Sequence, residues 1–441
     1  MKRPGMKWPE GCNTLGGWAL RSALAILAAL AVESALGQTV PGTPDTEDAA
    51  LMLADQATTA TERAKDWQLS VEGAFGETGQ RYGKGQLQHQ RLSLDLQIDT
   101  AFSEGWRAVL SNQLDQRWQY QFSDASSTNT LKEAYLSWQP SPQRALDVGR
   151  INARYGVASG YNPTDYFRSG ANRSIVAIDP ASLKKNRQGS VMLRGQALWG
   201  GGSLTAIASP HLADQPSDAA FSLDLGATNR QDRWLLALSQ PLGETLTPQW
   251  LLYGENTQAP QLGFNLTGVL GQATVAYVEW SGGRSASQLA QALQGADDSA
   301  FRARWATGLT YTTANKLSFT VEYDFNGAAP DAQAWDTLGQ QAPQAYAQYR
   351  AWAQNQMELP TRQSLFLYAS WQDTLVNQLD FNAMLRHNLD DHSQLAWLEA
   401  RYHWSHTDLA LQWQRHSGKP GSEFGALQQE QVVQVLLRHF Y

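Results

Sequence analysis

Between positions 150 and 187 the chain carries seven basic residues, Arg150, Arg154, Arg168, Arg173, Lys184, Lys185 and Arg187, against two acidic ones, Asp165 and Asp179. The whole chain has 34 basic and 41 acidic residues and a formal charge of −7, so this stretch opposes the sign of its surroundings. Cations gathered on one irregular segment either favour anions at a constriction or pair with carboxylates and phosphates nearby. At its centre, GYNPTDYF contains Asn162, Pro163 and Asp165. Asn before Pro is held out of the helical region, Pro163 fixes one dihedral, and the Asn162 and Asp165 side chains can accept from backbone N–H groups nearby. A rigid turn is expected, flanked by Gly160 and by Tyr161, Tyr166 and Phe167, which would lean on an inner wall.

Catalytic chemistry has one foothold. HNLDDHS puts His387, Asp390, Asp391 and His392 on one loop, where an Asp–His pair or a bound cation is conceivable. No serine sits in a nucleophile motif and no other metal-ligand spacing is present, so the cluster reads as a turn or a loose cation contact, and no enzyme, cofactor or metal centre is expected. The single cysteine, Cys12, excludes a disulfide scaffold.

These residues need a frame. Lys2, Arg3, Lys7 and Arg21 precede the apolar run Ser22 to Val32, and Ala35 and Gly37 follow, the layout of a secretory leader spanning residues 1–37. Its loss removes Cys12 and leaves a more acidic chain, with nothing that suggests nucleic acid. The whole chain, leader included, is hydrophilic, with a mean hydropathy of −0.43. The part after the leader nevertheless holds all but two of the 17 tryptophans. Residues 38–66 read as a periplasmic segment, helical over Asp48 to Ala64, and a possible contact for a periplasmic partner.

From position 67 onward the pattern has period two. In RLSLDLQIDTAF, Leu92, Leu94, Leu96, Ile98 and Phe102 face one way and Arg91, Ser93, Asp95, Gln97 and Asp99 the other. The next run starts at Trp106 and continues through Leu110 and Leu114 to Trp118, Tyr120 and Phe122, and similar runs recur to the carboxy terminus. Runs of about 9 to 13 residues with terminal aromatics match tilted membrane-crossing strands rather than soluble ones. Short turns at 103–105, 140–143, 200–202, 314–315, 373–374 and 405–407 alternate with longer links at 123–130, 152–186, 210–229, 282–299, 326–361 and 417–428. The expected fold is all-β, a transmembrane antiparallel barrel of about 18 strands, with 16 as the alternative because 210–275 is ambiguous. FSLDL (221–225) is either a strand or part of a loop. Loop helices are expected at 288–294 and along Trp335, Leu338, Ala342, Tyr346, Tyr349, Ala353 and Met357, the latter split or kinked by Pro343. A barrel of this size has a lumen wide enough for water.

The segment KEAYLSWQPSPQRALDVGRINARYGVASGYNPTDYF resembles large Gram-negative porin-like and polysaccharide-exporter-like barrels, including the alginate exporter group. The likeness covers about 130–187, and many members have Trp-Gly where this chain has Tyr155-Gly156. It implies an 18-stranded barrel whose arginine-lined pore passes an anionic polymer, with Arg150, Arg154, Arg168 and Arg173 at the pore. The last strand, with Val433, Val435, Leu437 and Tyr441 on one face, resembles the carboxy-terminal signal read by the barrel-insertion machinery; His439 interrupts that face. The expected function is a channel for small hydrophilic solutes, anionic or saccharide. An export-assembly barrel and an outer-membrane hydrolase are the alternatives, with outer-membrane lipid and lipopolysaccharide as surroundings.

Overall fold

The computed structural model describes residues 66–441 except positions 84, 120, 121, 175 and 244. The leader (1–37), Cys12 and the helix expected over 48–64 lie outside the described residues. Eighteen antiparallel strands run in chain order: β1 (Trp67–Gln80), β2 (Gln86–Ser103), β3 (Trp106–Gln119), β4 (Phe122–Ser141), β5 (Arg144–Ile151), β6 (Ser190–Trp199), β7 (Gly202–Ser209), β8 (Arg233–Ser239), β9 (Leu246–Glu255), β10 (Gln258–Val269), β11 (Thr274–Ser285), β12 (Ala300–Thr312), β13 (Leu317–Asn326), β14 (Gln363–Trp371), β15 (Leu379–Asn388), β16 (Gln394–His403), β17 (Thr407–Ser417) and β18 (Gln429–Phe440). Each pairs with its neighbours, and β1 pairs with β18 from Ser70↔Phe440 to Gln80↔Gln429, which closes the sheet into a barrel without edges.

Alternation decides what each strand shows to lipid. Leu92 and Leu94 on β2 and Val433 and Val435 on β18 are exposed outward, while Arg91, Ser93, Glu72 and Gln412 are buried inward. At the short-turn end Trp67, Phe102, Trp106, Trp138, Trp199 and Tyr441 are exposed, an aromatic belt suited to a membrane interface. Among the described residues no helix is long and apolar enough to cross a membrane. The strands do the crossing.

Three expectations change. Residues 123–130 are not a loop: they belong to β4, pairing with β3 from Ser126↔Arg117 to Thr130↔Gln113. Here β2 and β4, 18 and 20 residues long, run past the apolar band, so outward positions such as Gln88, Gln90 and Ser127 turn polar and the two-period contrast vanishes. Phe122 opens β4 rather than closing β3, and pairs back with Gln119. Residues 282–285 are the end of β11, and FSLDL lies in the loop before β8, its last residue opening the short helix α2 (Leu225–Thr228). The ambiguous stretch 210–275 contains β8, β9 and β10.

The helices follow their local signals. After α1 (Pro180–Lys185) and α2 come α3 (Gln288–Leu293), α4 (Ala332–Gln341) and α5 (Pro343–Gln356), with Asp179, Ser287 and Asp331 capping α1, α3 and α4 through their side chains. Pro343 splits the outer helix as expected, because a proline lacks the N–H that would continue the ladder. Trp335, Tyr349 and Ala292 form an apolar cluster with Leu289, Leu338 and Tyr346, so the three helices pack on one another.

Candidate constriction inside the barrel

The loop from Asn152 to Gly189, which joins β5 to β6, turns inward. Ile151, Ala153, Tyr155 and Phe167 pack against Met192, Ile207, Leu235, Ala237, Leu251 and Tyr253, inward positions of β6 to β9. Tyr166 stacks on Tyr253 with centroids 4.4 Å apart, and its hydroxyl lies 2.9 Å from Ser281 Oγ on β11. The expectation that the flanking aromatics lean on the wall holds for Tyr166 and Phe167, whereas the Tyr161 hydroxyl reaches Glu358 instead.

Two wall carboxylates grip the next segment. Glu279 on β11 accepts from the backbone N–H groups of Val157 (2.9 Å), Ala158 (3.0 Å) and Thr164 (2.8 Å) and from the Thr164 hydroxyl (2.8 Å). Glu322 on β13 accepts from the N–H groups of Ser159 (2.7 Å), Gly160 (2.8 Å) and Tyr161 (2.9 Å) and from the Tyr277 hydroxyl (2.5 Å). Five successive amides converge on two anions, a backbone nest. Gly156, at φ +98°, makes this approach possible: a Cβ there would stand 2.6 Å from the Glu279 carboxylate oxygens.

The NPTD turn forms, with Asp165 N–H donating to Asn162 O at 3.2 Å. Its side chains act differently from the expectation. The Asn162 amide donates to Ala158 O (2.6 Å) and Glu279 (3.2 Å), and the Asp165 carboxylate accepts from the Arg187 guanidinium at 2.6 and 3.1 Å. At Asp165 the distant Arg187 guanidinium takes the place of the local N–H groups that sequence reasoning favoured.

The seven basic residues divide. Arg187 is held by Asp165, Arg173 by Asp224 at 2.7 Å, and Arg168 by Glu358 at 2.5 Å. Arg150, buried on β5, donates to Gly189 O and Leu223 O. The Lys184 ammonium donates to Ala158 O at 2.8 Å and so straps α1 to the gripped segment. Arg154 and Lys185 are exposed.

Glu358, in the link between α5 and β14, joins the inner loop to the outer helices. It accepts from Tyr161 Oη (2.6 Å), Arg168, Asn326 Nδ2 (3.0 Å) and, at 3.4 Å, Gln288 Nε2 on α3, with Arg304 at 3.9 Å. Burial alone would raise its pKa, but the Arg168 and Arg304 guanidiniums outweigh it and hold the carboxyl below its ordinary value. The Tyr161 hydroxyl beside it is pushed well up, by burial first and by the Glu358 charge second.

The facing wall was missed as a group, although Arg91 was read as inward. Arg438 pairs with Glu72 (2.5 Å), Arg401 with Glu399 (2.8 Å), Arg194 with Asp147 (2.8 Å) and Arg107 with Asp99. In each pair the cation is the more open member: 35% against 4% for Arg438–Glu72, 34% against 14% for Arg107–Asp99, 21% against 3% for Arg194–Asp147 and 19% against 6% for Arg401–Glu399. Lys132–Asp95 is reversed, because the β4 irregularity at Glu133/Leu131 turns Lys132 inward and buries it against Asp95 and Asn186. Inward alternation marks the positions of these arginines; only the sheet register shows their carboxylates behind them.

In the cluster at 387–392 the two carboxylates are spent on structure. Asp391 accepts from Trp335 Nε1 (3.0 Å), Ser393 N–H (2.9 Å) and Glu423 N–H (2.6 Å), and Asp390 from Gln363 N–H (2.8 Å). Among the described residues no group of three or more His, Cys, Asp or Glu side chains is placed to hold a metal ion.

No protein-family model and no curated protein matches the sequence. Solved structures do match the fold. Acinetobacter baumannii OccAB1 aligns at a TM-score of 0.55 with 9% identity over 87% of this chain and 99% of its own. Pseudomonas aeruginosa OccK7 (OpdD) gives 0.52 with 11% identity over 85% and 98%, and OpdQ from the same organism gives 0.51 with 11% identity over 86% and 98%. The chain thus has the fold of the Gram-negative outer-membrane porin-like barrels, closed at 18 strands and narrowed by a loop from within.

Proposed function

We propose that this barrel is an outer-membrane diffusion channel for small hydrophilic solutes and that its passage favours anionic or saccharide ones. The carrying observation is the arrangement of the wall ion pairs, in which Arg438, Arg107, Arg194 and Arg401 face the lumen and their carboxylates lie behind. An anion meets guanidinium N–H groups first, at short range and in a site of reduced dielectric. Arg154 and Lys185, exposed on the inner loop, add to this sign, whereas Arg168, Arg173 and Arg187 are spent on Glu358, Asp224 and Asp165. Lipid and lipopolysaccharide would surround the apolar band, and the face of Val433, Val435, Leu437 and Tyr441 would be the surface read during insertion. A periplasmic partner for residues 38–66 is tested by pull-down with and without that segment.

Purified barrel in planar bilayers under a salt gradient tests the proposal. Stepwise conductance with a reversal potential of anionic sign is expected. No conductance overturns the channel, and a cationic reversal potential overturns the role of the arginines.

A further inference from the structure

We propose that Glu279 and Glu322 are positioning residues that set the bore and the ion preference of the passage without facing the solute, an inference that rests on the channel reading. Both are fully buried, and among the described residues neither has a cation within ion-pair distance. Their charges are met instead by the backbone amides of residues 157–161 and 164, by the Asn162 side-chain amide and by the hydroxyls of Thr164 and Tyr277. A buried anion satisfied only by donors that belong largely to a loop holds that loop firmly, because release would leave the charge uncompensated.

The grip extends beyond the segment touched. Ala158 gives its N–H to Glu279 and its carbonyl to the Lys184 ammonium, so the position of α1, and of the exposed Lys185 at its end, follows from the wall carboxylate. On the other side Arg386 of β15 donates to Gly160 O at 3.1 Å. Gly160 itself lies against the wall, where a Cβ would stand 2.6 Å from the Phe366 ring. A chain of contacts therefore runs from β11 and β13 through residues 157–161 to the second arm of the loop.

The positioning role and a plain electrostatic role predict opposite results. Taking away a buried negative charge beside a passage would, by electrostatics alone, make it more anion-preferring and leave the bore alone. Under the proposal Glu279→Gln or Glu322→Gln loosens the loop. Conductance then rises toward that of a barrel lacking residues 157–165, and anion preference falls as Lys185 leaves its place. Gly160→Ala, which changes no charge, should move both quantities the same way. Heat-modifiable mobility in gels checks that each variant has formed a barrel.

Hydrogen exchange at the amides of residues 157–161 provides a readout that needs no current. It should quicken by roughly tenfold or more in either glutamine variant as the local opening free energy falls. Unchanged exchange in a folded variant overturns the proposal, as does greater anion preference at unaltered conductance. A wild-type barrel that passes no current defeats the channel reading and the stated effect on bore, while the exchange result separately decides whether the carboxylates hold the loop.

Discussion

Arg438 and Glu72 meet at 2.5 Å across the seam where the last strand joins the first, and the arginine is the partner that faces open space. Glu72 also receives Arg91 at 2.5 Å, so one buried carboxylate serves two guanidiniums on adjoining strands. Arg91 is in turn shared with the buried Asp115 at 3.8 Å, so the charges of this cluster balance while the open member, Arg438, is a cation.

Neutralising the most open cations should therefore alter selectivity before stability. Arg438→Gln and Arg107→Gln are each expected to lower the anion-to-cation permeability ratio, because cationic side chains lining a pore are what favour anions in it. Reversal potentials under a potassium chloride gradient provide the check, with an unchanged ratio in the double variant counting against the assignment.

Glu358→Ala removes the carboxylate on which the inner loop, α3 and the barrel wall converge. Arg168, without a partner at Nε and Nη1 among the described residues, would lose its one ion pair among them. Breaking a buried pair in this way costs about 3–5 kcal/mol. The barrel should still form, since its strand ladder is untouched, but the outer helices and residues 161–168 should exchange amide hydrogens faster together.

Acidity should tighten the outer loops. Burial, opposed by the Asn388 amide and aided by the Asp391 carboxylate, pushes the Glu423 carboxyl up to about 7 from an ordinary 4.5, with Arg386 and Arg350 pulling the other way. The folded loop therefore keeps a proton that an unfolded chain would release. Its contribution is fully present below 4.5, declines as pH rises, and is lost above about 7. Proteolysis within 418–428 should be slower at pH 5 than at pH 8, and Glu423→Gln should flatten the difference.

Gly149, at φ +135°, sits where a Cβ would stand 2.3 Å from Ala134 O on β4. Gly149→Val should cost about 1–3 kcal/mol in backbone strain, more with the steric clash. A reduced folded fraction in urea titrations of detergent-solubilised barrel would show it, and full stability would contradict the steric account.

Strand periodicity was legible because a lipid-facing strand writes its environment into every second residue. Leu92 to Ile98 needed no partner to be read. The signal stopped where the environment did: Ser127 and Asn129 stand on β4 beyond the apolar band, and with polar residues on both faces they looked like a loop. Pro343 divided two helices for a purely local reason, so its effect was visible in advance. The inner loop was recognisable as an irregular, cationic excursion, yet the residues that hold it were not. Glu279 and Glu322 follow the residues they hold by more than a hundred positions and look like any inward polar residue of a strand. Counting charges also misled, because Arg168 and Arg173 are paired with Glu358 and Asp224, which lie outside the stretch that was counted.

The loop leaves the barrel after β5, but the carboxylates that fix it belong to β11 and β13. If strands are added in chain order, the loop exists long before anything can fasten it, and these distant contacts must wait. Until then a growing barrel would be a broad, unguarded opening. Narrowing the hole is thus a long-range event: β1 to β6 alone cannot complete it, because the carboxylates that fasten the loop come only with β11 and β13.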